Sequence, residues 1–167
     1  MNIYSDALKR GFIIGNHSFS HPNFVNISQR ERKEEIKKCE EQLSEIYAAN
    51  NISMPKLFRY PGGADVLFMN HVLKTMGYIS PFTGRRDWYW HVDLKDGKNI
   101  PEKLQKDHIK DHVGDHSKYD HHSVILSHDC AHNFSTGFFQ KMYDYMSEIG
   151  MHFMTNNEIH ELVENLV

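Results

Sequence analysis

The chain has 167 residues, 40% apolar and 25% charged, with a net charge of −3, which fits one globular domain with its own core. The slight acidity leaves no electrostatic footprint for nucleic acid, and no run of about 18 apolar residues marks a membrane span. Two cysteines make no disulfide framework, whereas thirteen histidines exceed what packing asks for.

Helical and strand patterns alternate along the chain. "SDALKRG" reads as the tail of a helix, with Ser5 as a possible cap and Gly11 as its stop. "FIIG" follows as a short buried strand. Residues 28 to 49 form the clearest helix: Ser28 and Glu31 make a capping box, and Ile36, Cys39, Leu43, Ile46 and Tyr47 recur on one face. "KLFRY" reads as a strand closed by "PGG", and residues 65 to 76 as a helix stopped by Gly77. "YISPF" and "WYWHVD" are strand-like, residues 101 to 113 helical, and "SVILS" a buried strand. "FFQKMYDYMSEIG" is an amphipathic helix, "HFMT" a strand and "NNEIHELVENL" a closing helix. This order predicts a single α/β domain over residues 1–167 with a mostly parallel sheet.

On that map His17 follows the first strand, Arg59 sits near the end of "KLFRY", Asp93 and Asp96 close "WYWHVD" and its turn, and His128 and Asp129 end "SVILS". Each lies at the carboxyl end of a predicted parallel strand, where α/β folds collect their chemistry. His17 and His21 are spaced so that one turn aims both imidazoles at one point, as zinc sites require. In so histidine-rich a chain the bare H-x-x-x-H also arises by chance, and both readings fit the spacing.

In chain order, "GNHSFSHPN", "FRYPGG", "WHVDLKDG" and "ILSHD" resemble the polysaccharide deacetylase family, the NodB-homology domain of carbohydrate esterase family four, over about residues 5 to 162. The resemblance implies a distorted (β/α) barrel and a hydrolase that removes N-acetyl groups from GlcNAc-containing polymers such as peptidoglycan or chitin-like chains. It implies His17 and His21 as ligands of a divalent metal, usually Zn2+, and Arg59 as support for the catalytic base. It implies a backbone N–H at Tyr60 that polarises the substrate carbonyl, and Leu126 as the wall of the acetyl pocket. His128 becomes the general acid and Asp96 the carboxylate that tunes it. Family members usually act outside the cytoplasm, although the first residues lack the apolar core of a secretory signal.

The chemistry suits these residue types. The attacking water needs activation by a metal, the oxyanion a fixed N–H donor, and the departing amine a proton from a histidine. Two departures stand beside the match. The family's first strand ends in paired aspartates, the catalytic base and the third ligand, and this chain has no adjacent aspartate pair. The expected fold is therefore a barrel lacking its first strand, through a shortened clone, a misplaced start codon or a gene fragment, with self-association through the open seam. Gly97 stands where the family places a tryptophan; Trp90 or Trp88 can fill that space, and an alternative alignment puts Asp87-Trp88 in that motif.

Other features have plainer readings. Cys39 and Cys130 read as packing residues. "DHIKDHVGDH" reads as a solvated insertion, with a metal-buffering module over residues 108 to 122 as the sharper alternative. "QRERKEEIKKCEEQ" reads as the solvated face of its helix. The runner-up function is a non-catalytic carbohydrate- or metal-binding remnant of the fold.

Overall fold

The computed structural model describes residues 3–63, 67–79, 90–114 and 124–164, which fall into two compact units, one built from the N-terminal half with the C-terminal helix, the other from the residues between.

In the first unit, helix α1 (Ile3–Lys9) ends at Gly11, whose φ of +83° is the left-handed turn that glycine permits. Ser5 lies inside this helix and is no cap: the helix begins upstream of it, and its hydroxyl accepts from Asn50 Nδ2 at 3.0 Å, beside the end of the next helix. That helix, α2 (Gln29–Ala49), carries the expected capping box, with both Ser28–Glu31 bonds formed. Its apolar stripe buries Ile36, Leu43 and Tyr47, and Leu8 of α1 packs on Leu43 and Tyr47 with Cys39 and Ile46 alongside. The Tyr47 hydroxyl accepts from Ile14 N at 2.9 Å and donates to Ile14 O at 3.0 Å, which fixes the extended chain leading to the histidines.

Three extended segments of this unit meet in parallel. Asn16 pairs with Phe58, and Leu57 with Ile79, through Asn16 N to Leu57 O at 2.8 Å, Arg59 N to Asn16 O at 3.0 Å and Phe58 N to Ile79 O at 2.9 Å. The predicted strands "FIIG" and "KLFRY" are thus reduced to isolated bridges, and of "YISPF" only Tyr78 and Ile79 lie within the described residues. Pro55 has no N–H to donate, and the 3-10 turn Pro61–Gly63 closes the segment, leaving too few residues for a longer ladder. Under them lies an aromatic core of Phe24, Phe58, Tyr60 and Tyr78 with Ile36, Met69, Val72 and Leu73. Helix α3 (Leu67–Thr75) supplies the last three apolar residues.

In the second unit, β1 (Trp90–Asp93) runs parallel to β2 (Val124–Leu126), in register Val92↔Ile125 and Asp93↔Leu126. Helices α4 (Gln105–Val113), α5 (Ala131–Ser135) and α6 (Phe138–Glu148) belong with it, around a core of Val92, Leu94, Ile109, Val113, Phe138 and Met146. This corrects the reading of residues 108 to 113 as a solvated insertion. Only two apolar residues mark that stretch, but Ile109 and Val113 are both fully buried and anchor α4 in the core; residues 115 to 122 lie outside the described residues.

The strand expected at "HFMT" does not form. Thr155 is committed to capping α7 (Asn156–Glu164), with Glu158 N on its Oγ1 at 3.4 Å and its own N–H on Glu158 Oε2 at 2.7 Å, while Phe153 stacks on Tyr143. Helix α7 returns to the first unit, where Asn156 Nδ2 donates to Arg10 O at 2.5 Å. Among the described residues the only multi-residue ladder is β1–β2, so the parallel direction of the predicted sheet is present while the incomplete barrel is not drawn by these residues.

Candidate active site

The first histidine constellation is set by a buried asparagine. Asn16, 2% exposed, donates from Nδ2 to Ile36 O at 2.9 Å and to Tyr78 Oη at 3.0 Å, and accepts the Ser18 N–H at 2.9 Å. Ser18 Oγ in turn accepts the His21 N–H at 3.0 Å. Ser18 and His21 have φ of +70° and +57°, conformations that cost of order 1–3 kcal/mol each away from glycine and persist only where the surroundings enforce them. The result is that the rings of His17 and His21 meet edge to face with centroids 4.9 Å apart, both exposed.

His17 Nδ1 lies 2.8 Å from Arg59 O. A carbonyl only accepts, so Nδ1 carries the proton and Nε2 bears the ring's lone pair, the arrangement by which metal-binding histidines are oriented. The donor set suits a first-row divalent ion as two ligands of a larger set, and among the described residues no group of three or more His, Cys, Asp or Glu is assembled. Cys39 does not extend it. Burial pushes its thiol up, with Glu35 adding to the rise and a bond to the His17 backbone offsetting part of it, so it stays a neutral packing residue. The Arg59 guanidinium is lowered from its ordinary value by burial and remains a cation. Tyr60 is fully buried, its hydroxyl donating to Asn70 Oδ1 at 2.8 Å, which leaves its backbone as the part suited to meet a substrate.

The second constellation surrounds Asp96, which is completely buried. One oxygen, Oδ1, accepts from His128 Nδ1 at 2.8 Å; Oδ2 accepts from Asn133 Nδ2 at 3.1 Å and from the hydroxyl of Ser127, and the His128 N–H reaches both. Burial alone pushes the Asp96 carboxyl up, but the Ser127 hydroxyl and the two His128 donors outweigh it and hold it below the usual aspartate value. His128 Nδ1 carries its proton toward the carboxylate, so Nε2 of this exposed ring is the nitrogen that faces outward chemistry. Leu126 ends β2, half-buried, two residues before it. Trp90 opens β1, and its side chain, like Trp88 and Asp87, lies outside the described residues. A Cβ on Gly97 would lie 3.4 Å from His128 Nδ1, so a side chain at that position would pack on the imidazole.

Because the folded value of Asp96 is depressed, its contribution to stability is present in full above the unfolded value, about 3.9, and is lost as pH falls through the lower folded value. The stability gap between wild type and Asp96→Asn is expected to stay constant above about pH 5 and to narrow below about pH 4. Urea unfolding at a series of pH values measures it; a gap that persists unchanged well below that window contradicts the assignment.

Sequence reasoning singles out both histidines of the first loop, Arg59, Asp96 and His128, and the structure adds Asn16, Glu35, Ser127 and Asn133, which bond to these residues or their loops. Glu35, in the charge run read as solvated, accepts Ser20 N at 2.7 Å and Ser20 Oγ at 2.9 Å. Asn16 and Ser127 were adjacent to motif residues, which is the signal that was available. The alternative histidine cluster is differently engaged: His108 Nε2 lies 2.6 Å from Leu94 O and His112 Nδ1 2.8 Å from His108 O. The backbone thus takes one nitrogen of each ring, and residues 116 to 122 lie outside the described residues.

Residues 1–80 match the family model for polysaccharide deacetylase. A 64-residue stretch is 38% identical to a peptidoglycan-N-acetylglucosamine deacetylase of Bacillus cereus, covering 37% of this chain and 21% of that protein. The fold matches the crystal structure of the Bc1960 peptidoglycan N-acetylglucosamine deacetylase with a TM-score of 0.70 and 26% identity, over 92% of this chain and 65% of that one. It also matches BA3943, a carbohydrate esterase family 4 pseudoenzyme from Bacillus anthracis, with a TM-score of 0.65 and 19% identity, over 88% of this chain and 46% of that one, a likeness of fold alone. The chain therefore spans about a fifth of the curated relative and two-thirds or less of the solved ones. The family model over residues 1–80, the curated relative and the structural neighbours agree in supporting a NodB-homology domain of the polysaccharide deacetylase type.

Proposed function

We propose that this domain serves hydrolysis of N-acetyl groups on a GlcNAc-containing polymer, peptidoglycan or a chitin-like chain, with a divalent metal, most simply Zn2+, held by His17 and His21. The observation that carries the reading is the buried Asp96 bonded to Nδ1 of an exposed His128, in a chain whose other constellation is a convergent histidine pair. When bound, such an ion supplies Lewis-acid chemistry to the acetyl carbonyl and the attacking water.

The chain's own residues do the rest. Arg59 O orients His17, the backbone N–H at Tyr60 serves the developing oxyanion, and Leu126 bounds the acetyl methyl. Asp96 stabilises the protonated His128 ring and directs its Nε2–H to the departing amine. As the C–N bond breaks, the acyl carbon keeps the water oxygen to become acetate, and the amine takes the proton. Arg59 is the support for a carboxylate base that, in the family's pattern, comes from an aspartate pair this sequence does not contain. A second reading, a domain that binds polymer or metal without turnover, is favoured by the likeness of fold to the BA3943 pseudoenzyme.

Acetate release from an N-acetylated chito-oligomer in the presence of zinc tests the choice. Release that disappears in His17→Ala and falls by about 10²–10⁴-fold in His128→Ala supports the hydrolase. Zinc and oligomer binding with no release in any form supports the non-catalytic reading, and release untouched by either substitution removes the assignment of both residues.

A further inference from the structure

The loop between the two histidines is clasped by a helix whose charge run looks wholly solvated in the sequence. Ser18 and His21 both adopt left-handed backbone conformations, and these two bends bring the imidazoles together across only Phe19 and Ser20. Asn16 holds the start of the loop and Ser18 Oγ its end, but both bonds are local. Beside the Arg59 carbonyl on His17, a second tether from outside, on the His21 side, comes from α2. Glu35 spends both carboxylate oxygens on Ser20, one on its N–H and one on its hydroxyl. One helical turn further, the Lys38 ammonium stands 5.8 Å over the ring of Phe19. The same helix is pinned at its buried face, where Ile36, the neighbour of Glu35, is fully buried and offers its carbonyl to Asn16. Glu35 is therefore a short, charge-assisted strut between a rigid helix and the residue immediately before His21.

We propose that Glu35 is a positioning residue for the His17–His21 pair, setting where the His21 imidazole stands relative to His17 and hence the affinity of the pair for a divalent cation. The inference rests on the reading of those histidines as metal ligands. A carboxylate that supports a ligand-bearing loop acts on affinity without touching the ion, as outer partners of metal ligands do. Neighbouring Glu34 supplies the contrast: its carboxylate pairs with exposed Arg30 along the helix and has no bond to the loop among the described residues.

The test is calorimetric titration of zinc into the metal-free chain, combined with amide exchange at Ser20 before metal is added. Glu35→Ala is expected to weaken zinc binding by about 10–100-fold and to expose the Ser20 amide to rapid exchange. Glu35→Gln, which keeps one acceptor, falls between, and Glu34→Ala matches wild type in both measurements. Should Glu35→Ala lose its helical circular dichroism, Ser20→Ala removes the hydroxyl half of the same contact from the loop side, and its effect with Glu35→Gln is expected to be non-additive. Wild-type affinity and wild-type Ser20 protection in Glu35→Ala overturn the proposal while leaving the histidine pair intact. A wild-type chain with no zinc affinity, or one whose affinity survives His17→Ala, removes the ligand reading and this inference with it.

Discussion

Asp96→Ala is expected to lower the stability of the protein by about 3–5 kcal/mol, the cost of removing one partner from a buried charged network. The size follows from what the carboxylate leaves behind. The side chain is completely shielded from solvent, and its loss strands the His128 backbone N–H, the Ser127 hydroxyl and one proton of Asn133 Nδ2 without their acceptor. Asn133 is itself fully buried, and among the described residues its Oδ1 has no hydrogen-bond partner, so the substitution adds unsatisfied donors to a cluster that already carries an unsatisfied acceptor. Asn133 Nδ2 also donates to His128 O at 2.8 Å, so the loss of Asp96 frees the backbone of His128 as well as its ring. Chemical unfolding followed by circular dichroism measures the stability, and ring nitrogen shifts of His128 report whether Nδ1 still carries the proton. A loss below about 1 kcal/mol, within the range of surface substitutions and weak hydrogen bonds, contradicts the network.

Phe24→Ala is expected to cost a comparable amount, about 3–5 kcal/mol, for a different reason. Phe24 sits in a single 3-10 turn held by Asn23, whose Oδ1 accepts Val25 N at 3.0 Å, and its ring is completely buried. Phe58 and Tyr60 pack on it with centroids 5.9 Å away, Tyr60 edge-on. Truncation removes the ring shared by both and opens a cavity that the stiff neighbouring aromatics fill poorly. Phe58 and Tyr60 flank Arg59, whose carbonyl orients His17, so zinc affinity is expected to fall together with the urea midpoint. A large stability loss with zinc affinity unchanged would show that the aromatic core and the histidine loop are independent.

The histidines were legible because their chemistry is written locally, in H-x-x-x-H and in the order of the motifs around it. Helix α2 was legible for the same reason: a capping box spans three residues, and its stripe repeats every turn. What positions the site is non-local and left no trace in spacing. Glu35 reaches Ser20 across 15 residues and Asn133 reaches Asp96 across 37, and a glutamate in a charge run reads alike whether it faces water or a loop. The strand expected at 56–60 holds bridges only at Leu57 and Phe58, and the one expected at 12–15 gives way to a bridge at Asn16, since ladder length and register depend on partners that period alone does not reveal. Helix α5, with five residues, is too short for a 3.6-residue period to show. Helix α4 misled in the other direction, since two fully buried apolar residues suffice to anchor nine.

The chain is proposed to hold one divalent ion through His17 and His21. Zinc titration with native mass spectrometry tests it most directly. The expected result is one zinc per chain, lost in His17→Ala and in His21→Ala and retained in His112→Ala. Zinc that survives both of the first substitutions and disappears with the last would move the metal to the histidines of α4 and contradict the account.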